Sequence, residues 1–337
     1  MLLAMADAAR SVADVSVVGP SAPTEVADRC RLLGLRYVDV GGADRRRYLM
    51  SLARWAASHR TTLAWCNGLA PSLAASPSSR RQVVHIHQHP RGLQRSALGL
   101  VVRRAERVVV PSQSMKCSVP SAVVLENWTA PRGVDRTVRR RNAEGRFMGS
   151  ETFTVGFLGR LSPAKGIDVF AAAVNDLRRR GVDVAAVVAG DNRFSSRSEQ
   201  EVARASIASM SPHARTLGWV DRNVLFAVVD VLVVPSTWSE PFGLVAAEAM
   251  GAGVPVAVSD AGALPEVVGD GYPWVFSRGD PGSLATCLAA MQADRDGVAA
   301  WTARMADRWA ERYSPEAGAE RFLEVLGDVL AGSSSSS

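Results

Sequence analysis

Two stretches of the 337-residue sequence concentrate side chains that could do chemistry. The first is V-G-F-L-G-R-L-S-P-A-K-G-I-D, residues 155 to 168. Its apolar run predicts a buried strand ending at Gly159, with a helix beginning near Gly166 and a loop carrying Arg160 and Lys165 between them. Glycine lets backbone approach a phosphate closely, and a helix start offers free N–H groups and partial positive charge. Arg160 and Lys165 add full positive charge, enough to hold a diphosphate. The spacing is neither that of a Walker loop nor that of G-x-G-x-x-G. The plain alternative is an ordinary β–α turn with two exposed cations.

The second stretch is P-S-T-W-S-E-P-F-G-L-V-A-A-E-A-M-G-A-G-V-P-V, residues 235 to 256. A strand ends at Pro235, a loop holds Glu240, and a helix starts near Gly243. Glu248 then sits roughly 8 Å further along that helix. The two carboxylates are acceptors suited to sugar hydroxyls at two places along one ligand. Backbone N–H groups near Phe242, Gly243 and Leu244 face the same mouth. Glu248 lies among Val245, Ala246, Ala247, Ala249 and Met250, so it is expected to be buried and paired rather than a solvated helix glutamate. A third set is His85, His87 and His89 in VVHIHQHPRGL, where strand alternation puts His85 and His87 on one face and His87 nearer the end.

The elements around these residues alternate strand and helix, which predicts parallel sheets covered by helices. In the first half VADVSVVG, LRYVDVGG, TTLAWCNG, RRQVVHIHQ and RVVVPS read as strands. ADRRRYLMSLARWAASHR and GLQRSALGLVVRRA read as helices, the former with Leu49, Leu52, Ala53 and Ala56 on one face. In the second half FTVGFLGRL, DVAAVVAGD, ARTLGWV, DVLVVPS and VPVAVSD read as strands apolar on both faces. The expected division is 1–145, a first Rossmann-like domain; 150–312, a second Rossmann-like domain; 313–331, a terminal helix packing back toward the first domain; and 332–337, a disordered serine tail. Residues 132–151 read as a surface linker. Two such α/β domains invite a ligand into the cleft at the carboxyl ends of their strands.

Charge is uneven: residues 1–150 hold 23 Lys/Arg against 10 Asp/Glu, and the remainder 16 against 23. The basic half suits an anionic partner or a solvated arginine-rich surface; without interleaved aromatics it does not suit nucleic acid. Cys30, Cys66, Cys117 and Cys287 show no metal-ligand spacing, and no window is apolar enough to span a membrane. The start brings in Asp7 and Arg10 too early for a signal peptide, so a cytoplasmic location is expected.

FLGRLSPAKGID, then TLGWV, then EPFGLVAAEAMGAGVPVAVSDAGALPEVVGDG, in that order, resembles the retaining glycosyltransferases of family 4, which have the GT-B fold of two Rossmann-like doubly wound parallel-sheet domains. The likeness runs from about residue 153 to 271, with Glu240 and Glu248 matching the family's two glutamates separated by seven residues. It implies transfer of a sugar from a nucleotide-diphosphate sugar to an acceptor hydroxyl, with retention and without a metal or other cofactor. On that likeness Arg160 and Lys165, with Gly159, would hold the diphosphate, Glu240 the donor sugar and Glu248 the ribose. Phe242, Gly243 and Leu244 would lend amides, Gly218 to Val220 would border the base, and His87, favoured over His85 and His89, would touch the sugar. The acceptor would be a glycan, a lipid-linked or a small molecule, with the basic first domain resting peripherally on the inner membrane face.

Two departures stand out. The chain opens with what resembles the family's first helix and second strand, so its first strand and glycine loop are expected to be missing, leaving a sheet edge exposed. That fits either a start further upstream or a shortened chain with impaired catalysis. GYPWVFSRGDP replaces the family's E-T-G, a change expected to affect a surface loop alone. The rival functions are a catalytically impaired nucleotide-sugar-binding partner and, less suited to Glu240 and Glu248, a nucleotide-sugar epimerase.

Overall fold

A computed structural model describes residues 1–42, 44–76, 81–90, 92–130, 152–193 and 195–332. The expected linker at 132–151 and the five serines of the tail lie outside the described residues. Contacts divide the chain into two compact units, Met1–Asn127 with Pro315–Ser337, and Trp128–Ser314.

The first unit holds the strands β1 (Ser16–Gly19), β2 (Arg36–Asp39), β3 (Ala64–Asn67), β4 (Gln82–His85), β5 (Arg107–Val110) and β6 (Val123–Val124). Its helices are α1 (Leu2–Ala9), α2 (Glu25–Leu32), α3 (Arg45–Ser58), α4 (Leu69–Ala75), α5 (Leu93–Arg104) and α6 (Gln113–Lys116). All pairings are parallel, yet they form two sheets, β1-β2 and β3-β4-β5-β6. One side of β1 and one side of β3 therefore pair with nothing among the described residues. The central β4 is buried at every position, and Val84, Ile86, Val108, Val110 and Met115 form the core beneath it. Asp44 starts α3 by accepting from the N–H groups of Arg46 and Arg47, both at 2.9 Å.

The second unit has one six-stranded parallel sheet. Its strands are β7 (Phe153–Leu158), β8 (Val184–Ala189), β9 (Ala214–Gly218), β10 (Val231–Val234), β11 (Val256–Ser259) and β12 (Val275–Phe276), in the order β12-β11-β10-β7-β8-β9. Between them run α7 (Ile167–Arg179), α8 (Arg197–Ser209), α9 (Arg222–Phe226), α10 (Leu244–Gly251), α11 (Leu264–Val268), α12 (Pro281–Ala293) and α13 (Arg295–Arg312). β8, β10 and β11 are buried throughout, as strands with helices on both faces must be. β9 departs from the expected doubly covered pattern: Arg215 and Thr216 are exposed, because it is the edge of the sheet. The GYPWVFSRGDP segment is also more than a surface loop. It buries Tyr272 and Trp274 edge to face at 5.5 Å, and the Tyr272 hydroxyl donates to the Val256 carbonyl at 2.6 Å.

The last helix, α14 (Pro315–Ala331), returns to the first unit. There Phe322 meets Trp65 edge to face at 5.1 Å, and the Arg81 guanidinium donates to the Val329 carbonyl.

Candidate functional site

In the second unit the strand order reverses between β7 and β10, and the crevice beyond their carboxyl ends is where open α/β sheets take ligands. Both chemistry-bearing stretches emerge there. After β7 the chain passes Gly159 and the exposed Arg160, then makes a single 3₁₀ turn at Pro163–Lys165. After β10 it passes Ser236, Thr237 and Trp238 to reach Glu240. The two loops are laced together: the Thr237 N–H donates to the Ala164 carbonyl at 3.1 Å, and the Thr237 hydroxyl to the Pro163 carbonyl at 2.9 Å. Gly166, in the left-handed region at φ +75°, permits this approach, since a Cβ there would lie 1.8 Å from the Pro235 carbonyl oxygen.

The lacing brings Lys165 onto Glu240, with Nζ 2.6 Å from Oε1. The ammonium also lies 5.2 Å from the centre of the Trp238 ring, within cation–π range. Glu240 is 6% exposed. Its Oε1 accepts further from Ser236 Oγ at 2.5 Å and from Trp238 Nε1 at 3.0 Å. The Glu240 backbone is pinned by the Ala263 N–H, 2.9 Å from its carbonyl, and by a bridge to Gly262.

Beyond Glu240 the chain turns through Phe242 into α10, with Gly243 at φ +106° as the N-cap residue. The N–H groups of Phe242, Gly243 and Leu244 have no acceptor among the described residues. Glu248, one turn inside α10, is half-buried and accepts from the Arg222 guanidinium at the start of α9. Burial pushes the Glu248 carboxyl above its ordinary value, and the Arg222 charge works against that rise. Gly218 ends β9, and Trp219, 77% exposed, stands between it and Val220 with the Arg193 guanidinium 5.5 Å from its ring.

His87 belongs to the first unit, just past β4. Its Nε2 lies 3.0 Å from Asn67 Oδ1 and its ring 3.9 Å from that of His85. Burial, then the positive amino terminus, pushes the His87 pKa down to about 4; burial foremost holds fully buried His85 well below its ordinary value. Both imidazoles are therefore neutral at pH 7, and His87 can accept or donate a hydrogen bond without carrying charge.

Lys165 with Glu240, and Glu248 within α10, thus sit at one end of one sheet, beside the amides of the α10 mouth. Sequence reasoning missed Ser236, Trp238, Arg222, Arg193 and Asn67. Of these, Ser236 and Trp238 had a signal in their place within P-S-T-W-S-E, whereas Arg222 lies 26 positions from its partner and had none.

Residues 152–294 match the family described as glycosyl transferases group 1. A lipopolysaccharide core biosynthesis mannosyltransferase of Rhizobium meliloti is 27% identical over 244 residues, covering 68% of this chain and 68% of its own length. A D-inositol 3-phosphate glycosyltransferase of Salinispora tropica is 32% identical over 189 residues, 53% of this chain and 39% of its own length. The chain thus spans well under half of that second relative. The fold is similar to that of Anabaena HepE, solved in complex with UDP and glucose, at a TM-score of 0.79 and 21% identity over 96% of this chain and 95% of that one. Residues 152–294 thus match the group 1 glycosyltransferases, and the two parallel-sheet α/β units have the GT-B fold of the solved structures they resemble.

Proposed function

We propose that the protein transfers a sugar from a nucleotide-diphosphate sugar to an acceptor hydroxyl, with retention of anomeric configuration and without a metal. The observation that carries this reading is the Lys165–Glu240 pair at the strand-order reversal: a cation for the diphosphate and a fixed carboxylate for the sugar. Arg160 adds charge to the leaving diphosphate, and the amides of Phe242, Gly243 and Leu244 add dipoles, so the burden a metal would carry falls on groups of this chain. Glu248 accepts from the ribose hydroxyls, and Gly218, Trp219 and Val220 border the base, with the Trp219 ring as a stacking face. His87 hydrogen-bonds the donor sugar.

In the transfer, the bond from the anomeric carbon to the diphosphate oxygen breaks as the bond to the acceptor oxygen forms on the same face. The acceptor proton passes to the departing diphosphate. Remote binding of nucleotide and diphosphate fixes that geometry. The acceptor class follows the relatives' names: a lipid-linked glycan or an inositol-like polyol. The protein works in the cytoplasm, with its basic first unit on an anionic membrane surface.

A second reading, a donor-binding partner without turnover, draws on the division of the first unit into two separate sheets. Calorimetric titration with UDP, GDP and ADP, then with their hexose conjugates, tests the donor site. Binding of one nucleotide that weakens roughly ten- to a hundredfold in Lys165→Ala supports it. No binding to any of them overturns it. Release of nucleotide from the bound conjugate separates transfer from silent binding.

A further inference from the structure

We propose that Trp238, assisted by Ser236, is the positioning residue that commits Glu240 to meeting the donor sugar with Oε2 alone. The inference rests on the donor-site reading above and assigns a role to residues outside it.

The three donors to the Glu240 carboxylate all converge on one oxygen. Lys165 Nζ, Ser236 Oγ and Trp238 Nε1 lie 2.6, 2.5 and 3.0 Å from Oε1. A carboxylate oxygen offers about two lone-pair directions, so Oε1 is fully subscribed. Oε2 has no hydrogen-bond partner among the described residues, in a side chain 7% exposed. Oε2 is thus the carboxylate oxygen left open to an incoming donor, and a sugar hydroxyl is a group that would bond to it.

The three donors are not equivalent. Lys165 is the one a diphosphate draws on, since its other N–H bonds are free to turn to phosphate. Ser236 and Trp238 are neutral and stay with the protein. Ser236 is 1% exposed at the end of β10, and its carbonyl accepts from Ser259 Oγ on β11 at 2.7 Å. The Trp238 N–H of the backbone lies 3.4 Å from the Ala164 carbonyl, so the same residue that grips Glu240 is tied to the loop of Lys165. When the diphosphate engages Lys165, the Trp238 indole and the Ser236 hydroxyl keep the carboxylate from rotating toward it. Oε2 then points one way, toward a single hydroxyl position of the sugar.

The consequence is separable from nucleotide binding. Trp238 and Ser236 should contribute to the affinity difference between a nucleotide-sugar and its bare nucleoside diphosphate, and little to the nucleoside diphosphate alone. The experiment is paired calorimetry of the full-length chain with the preferred nucleoside diphosphate and its hexose conjugate, on wild type, Trp238→Phe and Ser236→Ala. Trp238→Phe keeps the ring beneath Lys165 and removes the N–H. The expected result is a roughly tenfold loss of conjugate affinity relative to the diphosphate in Trp238→Phe, with diphosphate affinity held within about twofold. Ser236→Ala is expected to shift the ratio in the same direction, and it carries the test should Trp238→Phe fail to fold. An unchanged ratio in a folded variant, or equal losses for both ligands, overturns the inference while leaving the donor site intact. Failure of wild type to bind any nucleotide overturns the donor site itself.

Discussion

The guanidinium of Arg222 donates from Nη1 to Oε1 of Glu248, joining the first turn of α9 to the interior of α10. The carboxylate side is 15% exposed and the cation 34%, so the pair is largely but not wholly withdrawn from water. Removing the cation leaves the burial of Glu248 unopposed. Arg222→Ala is therefore expected to raise the Glu248 pKa further and to destabilise the second unit by about 1–2 kcal/mol, less than a fully buried pair would cost. Hydrogen exchange across α9 and α10 measures this, and protection equal to wild type would contradict it.

The raised pKa of Glu248 predicts two opposite pH effects. Ribose hydroxyls donate to the ionised carboxylate, so nucleotide affinity should weaken as pH falls through that pKa, above the ordinary carboxylate value of 4.5. The stability term runs the other way. A carboxyl whose folded pKa is raised stabilises the fold below its unfolded pKa and loses that contribution as pH rises through the folded one. Glu248→Gln should flatten both profiles. Calorimetry and thermal melts between pH 4.5 and 7 check the pair, and a Gln variant that keeps the wild-type acid limb would refute the assignment.

His85 and His87 make the first unit sensitive to acid. Their folded pKa values lie below the ordinary 6.5, His87 at about 4, so the unfolded chain binds protons first as pH falls. Their contribution is fully present above pH 6.5 and drains away as pH drops toward 4, at no more than about 1.4 kcal/mol per pH unit for each histidine. Exchange at β3 and β4 should accelerate in that window while the second-unit sheet holds. His85→Gln should blunt the effect, and acid sensitivity unaltered in that variant would place its origin elsewhere.

Gly166→Ala tests the lacing of the two site loops. Its φ of +75° alone costs a side chain about 1–2 kcal/mol, and the Cβ would stand 1.8 Å from the Pro235 oxygen. The turn must move, carrying Lys165 away from Glu240. A folded variant with a lowered melting temperature and lost nucleotide binding is expected. Wild-type affinity in Gly166→Ala would show that the close approach is dispensable.

Much of the second unit was legible because its strands are uninterrupted apolar runs bounded by Gly, Pro or Asp, which is how a doubly covered parallel sheet must be written. The edge position of β9 was not legible, because edge or centre is decided by strand order rather than by the strand itself. α6, α9 and β12 are shorter than one reliable period of either pattern, and Pro71 in the first turn of α4 reads as a helix breaker in the sequence. At the site, Lys165, Glu240 and Glu248 could be read from residue type and spacing. Their partners could not: the Ser236 and Trp238 bonds depend on how one loop folds over itself, and the Arg222 bond on α9 and α10 meeting in space.

The return of α14 to the first unit also sets an order of events in time. The second unit, Trp128–Ser314, is continuous in sequence and can complete its sheet as soon as Ser314 has been made. The first unit cannot, because Phe322 packs on Trp65 and the Val329 carbonyl takes the Arg81 guanidinium, a partner 248 positions away. The half of the protein synthesised first therefore cannot be completed until the helix synthesised last has been made, and the unpaired sides of β1 and β3 exist before it.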